Sequence, residues 1–123
     1  MLVLEAIINK IKNIQEDIKA GNVAKAEKKI PEIALFFTNQ IKKRKLVGDQ
    51  LSQVSDSFFT LFEVQLEKKI FSPEIENLLY HCFNLHTFMS KENYQEDKKF
   101  LGEIEKIENL AQDISSFYGR KEN

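Results

Sequence analysis

The chain has 123 residues, 42% of them hydrophobic and 30% charged, with a formal net charge of −1. That size suits one domain around one core, and the balance excludes both a disordered chain and one that spans a membrane. A lone Cys82 excludes an internal disulfide framework, and an N-terminal Met-Leu-Val-Leu broken by Glu5, with no basic residues before it, does not read as a signal peptide, so a cytoplasmic location is expected.

Leu4, Ile7, Ile11, Ile14 and Ile18 recur every three or four residues and predict a first helix with one buried stripe, stopped by Gly21-Asn22. Asn22 is the expected N-cap of a second helix, in which Val23, Ala26, Ile30, Ile33, Phe37 and Ile41 keep one face. Pro31 falls inside that pattern. It removes one backbone bond and crowds the preceding turn, which leaves a kinked helix or two shorter ones. The segment ends in Lys42, Lys43, Arg44 and Lys45, cations where the negative helix end favours them.

Asp49 is the expected cap of a third helix with Leu51, Val54, Phe58, Leu61, Phe62 and Gln65 on its inner face. Phe59, Leu66 and Ile70 lie to one side and widen the apolar arc beyond what one neighbouring helix covers. Ser72-Pro73-Glu74 has the order of a helix start: a capping hydroxyl, a proline where no N–H is needed, then an acid. In the fourth helix Ile75, Leu78, Leu79, Cys82, Leu85, His86 and Met89 point inward, while Tyr80, Phe83 and Phe88 lie outside that stripe. A last helix, starting after Ser90 or Asn93, turns Leu101, Ile104, Ile107, Ala111, Ile114 and Tyr118 inward and Glu and Lys outward. Alternation of apolar and polar residues is too short anywhere to suggest a strand. The expectation is an all-α, antiparallel up-and-down helical bundle over residues 1–118, four long helices plus a fifth packed helix, with residues 119–123 as a frayed tail.

Catalytic and metal-binding patterns are thin. Cys82 and His86 are one turn apart with His81 adjacent, but no third Cys or His exists outside that helix, so neither metal nor cofactor is expected. A mid-helix Cys82 among apolar neighbours should be an inert thiol, and the glycines stand alone, without a phosphate-binding loop. The chain therefore reads as non-enzymatic.

Charge and surplus apolar surface say more. Residues 1–45 carry ten Lys or Arg against five acids, whereas residues 73–123 are net acidic. The patch Lys42, Lys43, Arg44 and Lys45 has no interleaved aromatic for base stacking, so nucleic acid is the weaker candidate for it. Phe59, Leu66, Tyr80 and Phe83, rimmed by Glu63, Glu67, Lys68 and Glu76, are the expected interaction surface. The reading is a protein-binding module that receives a partner's amphipathic helix beside helices three and four; the alternatives are self-association through the same surface and a nucleic-acid accessory role of the basic patch.

A long helix, a Gly21-Asn22 turn, a long basic helix, an amphipathic hairpin and a closing helix give an order that resembles the flagellin export chaperones, most closely over residues 18–40. That resemblance implies a small bundle that holds an unfolded helical tail. At Lys45-Leu46-Val47-Gly48-Asp49 the chain departs from the acidic, glycine-containing turn usual there.

Overall fold

In a computed structural model the backbone is described over residues 2–122 and the side chains over residues 2–118. Five α-helices account for most of the described residues, α1 (Val3–Lys19), α2 (Val23–Lys42), α3 (Asp49–Lys68), α4 (Pro73–Asn84) and α5 (Lys98–Glu122), and among those residues there is no strand. The short member is α4 with 12 residues; α5, with 25, is the longest. The backbone of α5 runs on to Glu122 through the segment expected to be a tail, and the side chains of 119–123 lie outside the described residues.

The chain turns sharply where its sequence can tolerate left-handed backbone. After α1, Gly21 adopts φ +82°, and the N–H groups of Gly21 and Asn22 donate to the carbonyls of Ile18 and Asp17, which satisfies the open helix end. The same closure ends α2, with Arg44 at φ +60° in the glycine-like position and Lys45 N–H reaching Gln40 O. Asn22 begins α2 through its backbone carbonyl, which Ala26 N–H reaches; its side chain makes no cap, contrary to expectation. Pro31 is buried within one continuous α2, so the two-helix alternative falls away.

Two helix starts are also corrected. Gly48, not Asp49, is the residue before α3, because φ +56° there suits glycine, and its N–H donates to the Tyr94 hydroxyl at 2.9 Å. Asp97 rather than Ser90 or Asn93 caps α5, its carboxylate accepting Lys99 N–H at 2.8 Å, and this bond holds the acid below its ordinary range. The intervening 3-10 turn Tyr94–Glu96 seats Tyr94 edge-on against Phe100. Ser72 caps α4 as predicted, accepting Ile75 N–H.

The expected single fourth helix through Met89 stops early. His86 Nδ1–H and the Thr87 hydroxyl donate to the carbonyls of Phe83 and Asn84, the acceptors that the next helical turn would need, and the chain tightens into a 3-10 segment, Leu85–Phe88. His86 and Met89 are consequently only half-buried.

Around the bundle the order is α1, α2, α5, α4, α3, with α3 closing on α1 and α2 also meeting α4 through the centre. The pairs α1–α2 and α3–α4 pack along each other across the short connections 20–22 and 69–72, which makes each antiparallel. Ile11, Ile33, Phe58, Leu78, Cys82, Leu85 and Ile107 all belong to one buried core. Phe100 fills the position on α5 that was expected of Leu101, and Leu101 is exposed, so the inward register is Phe100, Ile104, Ile107, Ala111 and Ile114.

One core atom lacks a partner: the Ser55 hydroxyl is buried with no hydrogen bond among the described residues. Replacing Ser55 with Ala should therefore stabilise the fold by about 1 kcal/mol, since an unpaired buried hydroxyl carries a desolvation penalty and alanine favours the helix. Urea unfolding measures it, and a loss of stability would reveal a partner for the hydroxyl.

Candidate functional site

The α3–α4 hairpin is held in register by its connection. Gln65, buried on α3, donates through Nε2 to Phe71 O (3.0 Å) and to Glu76 Oε1 (3.1 Å), and its Oε1 accepts Phe71 N–H at 2.7 Å. Glu27 of α2 accepts Ser72 N–H at 2.9 Å and ties the same connection to the rest of the bundle.

With the two helices so fixed, the side chains that flank their inner stripes meet along the outside of the joint. Phe59 and Phe83 approach with ring centroids 4.6 Å apart, Phe62 stacks on Phe83 at 6.1 Å, and Phe62 meets Tyr80 at 5.9 Å. Phe62 was expected on the inner face; its half-buried ring is part of this seam instead. Phe59 and Phe83 are half-buried, whereas Tyr80 and Leu66 are 41% and 48% exposed. The close neighbours of α3 are α1, α4 and the 3-10 segment after α4, and those of α4 are α3, α2, α5 and that same segment, so no α-helix among the described residues lies over the seam. The four residues singled out from sequence, Phe59, Leu66, Tyr80 and Phe83, thus sit on one face, joined by Phe62.

The rim is more acidic than the sequence suggests. Helical spacing places Asp56, Glu63 and Glu67 in one exposed row immediately beside Phe59 and Leu66, and none of the three has a partner among the described residues. Glu76 is already engaged by Gln65 and, at 3.8 Å, by Lys69. Lys68 follows Val64 on the side of α3 that faces away from α4.

Elsewhere the candidates are weaker. Of the basic patch, Lys42 is committed to Glu108 at 2.7 Å, and Lys43, Arg44 and Lys45 are exposed at the end of α2. Cys82 is fully buried, and burial first, then the Glu103 carboxylate, push its thiol well above the usual range, so it is a poor nucleophile. His81 pairs through Nδ1 with Glu103 across α4 and α5, a contact without a sequence signal because the two residues are distant in the chain. His86 is turned to the Phe83 carbonyl, and among the described residues no three His, Cys, Asp or Glu side chains converge on a point. An open cleft of about 490 Å³ lies between Glu27, Glu74, Asp113, Phe117 and Tyr118; burial, then Glu27, raise the Tyr118 hydroxyl above its ordinary value. Its polar groups are partly used up, since Glu27 also serves the connection before α4. No described helix is long and apolar enough to cross a membrane.

No family model, curated protein or solved structure matches this chain.

Proposed function

We propose that the protein is a non-enzymatic binding module that docks an amphipathic helix of another protein along the α3–α4 seam. The observation that supports this reading is the set of interlocked rings Phe59, Phe62, Tyr80 and Phe83, left partly open to solvent with Leu66 at its edge. Aromatic side chains already fixed by one another lose little freedom on binding and contribute large contact areas, which is how hot spots at interfaces are built. A helix lying along two antiparallel helices would present residues at spacings of three and four to such a stripe.

Nuclear magnetic resonance mapping with a helical amphipathic peptide tests the reading. Shifts should centre on Phe59, Phe62, Leu66, Tyr80 and Phe83, and the double variant Phe59→Ser/Phe83→Ser should remain folded and lose them. Shifts centred elsewhere, or unchanged binding by the variant, would reject the seam as the site. Self-association through the same surface is the second reading, and light scattering at micromolar concentration distinguishes it: a dimer that the same variant returns to monomer assigns the seam to a second copy.

A further inference from the structure

We infer that the partner helix is basic along one edge, with Lys or Arg flanking its apolar stripe; this rests on the docking reading above and specifies its partner. Asp56, Glu63 and Glu67 form a single exposed row next to Phe59 and Leu66, and among the described residues no cation neutralises them. Glu63 and Glu67 are one helical turn apart, a like-charge spacing that weakens a helix on its own. The row therefore gives one side of the apolar seam a negative potential that the chain itself leaves unanswered. A helix seated on the rings would bring its flanking residues over this row, where opposite charges gain from partial exclusion of water and steer the encounter.

A second copy does not supply that complement. If two seams met about a two-fold axis, the acidic row of one α3 would face either the same row or the outward positions of α4 and of the 3-10 segment after it, Asn77, Tyr80, Asn84 and Thr87. Neither offers a cation. Of the exposed lysines nearest the seam, Lys69 is engaged by Glu76 and Lys68 lies on the side of α3 away from α4, while Lys43 and Lys45 lie beyond the end of α2, which is not a close neighbour of α3.

The test uses two synthetic helical peptides of about 18 residues, five turns, with the same leucine stripe. One carries Lys along a single edge and the other Glu. Fluorescence anisotropy should show the Lys peptide binding at least about tenfold more tightly than the Glu peptide, with the difference shrinking at high salt. Glu63→Lys/Glu67→Lys, at two exposed positions, should invert the preference, and Phe59→Ser/Phe83→Ser should abolish binding of either peptide. Equal affinities, or a preference that charge reversal leaves unmoved, would overturn the basic-edge inference while the docking reading stands. Failure of both peptides to bind, or binding that survives the aromatic variant, would overturn both.

Discussion

Truncation of Phe58 to Ala is expected to destabilise the fold by about 3 to 5 kcal/mol, the range for a large aromatic ring removed from a packed interior. Phe58 is 0% exposed and its ring lies 5.2 Å from that of Phe37 at 44°, so it joins α3 to α2 through the core even though the two helices are not close neighbours along their backbones. The cavity left behind would be lined by side chains of both helices and could not collapse without moving one of them. Urea unfolding, with Phe59→Ala as the neighbouring control, measures the difference. The control should lose much less, because Phe59 is already half in water, and a Phe58 loss below about 1 kcal/mol would contradict the position of α3.

The second large effect is expected at a polar residue. Gln65→Leu keeps the side chain's approximate size but strips Phe71 of partners for both its N–H and its C=O, at a buried turn. Each orphaned buried group carries about 1 to 3 kcal/mol, so a loss of roughly 2 to 4 kcal/mol is predicted after partial relaxation. Faster amide exchange at Phe71 should accompany it. A stability change under about 0.5 kcal/mol, with Phe71 still protected, would mean that Gln65 does not hold the connection. Because that connection sets the offset of α4 against α3, the variant should also loosen the contact between Phe59 and Phe83.

Periodicity alone placed the core stripes of α1 to α4 well, since Ile7, Ile11, Ile14, Phe58 and Leu78 recur with the helical repeat and a bundle leaves such stripes nowhere else to go. It misjudged boundaries where side chains compete for backbone groups. The Gly48 and Asp97 starts depend on the hydroxyl of distant Tyr94 and on a carboxylate reaching two residues ahead, and the end of α4 depends on His86 and Thr87 taking carbonyls. On α5, Phe100 and Leu101 are equally apolar, so the one-residue choice between them was made by packing against Tyr94. The aromatic seam was legible as a surplus because two flanking arcs exceeded what their stripes could bury. Its pairing partners and the role of Phe62 were not, since they depend on how far α4 slides along α3, a quantity fixed by Gln65 rather than by pattern.

The order of helices around the bundle has a consequence for synthesis. α5 lies between α2 and α4, and its contact with α2 joins residues distant along the chain, among them Lys42 and Glu108, 66 positions apart. As the polypeptide leaves the ribosome, the α1–α2 and α3–α4 hairpins can each pair soon after they emerge, yet the faces of α2 and α4 that α5 covers stay bare until α5 follows. Ile41, which lies beside Phe100 and Ile104, and Cys82, which lies beside Glu103, are thus held back from their final burial until α5 emerges, and the nascent chain is most vulnerable to misassociation in that interval.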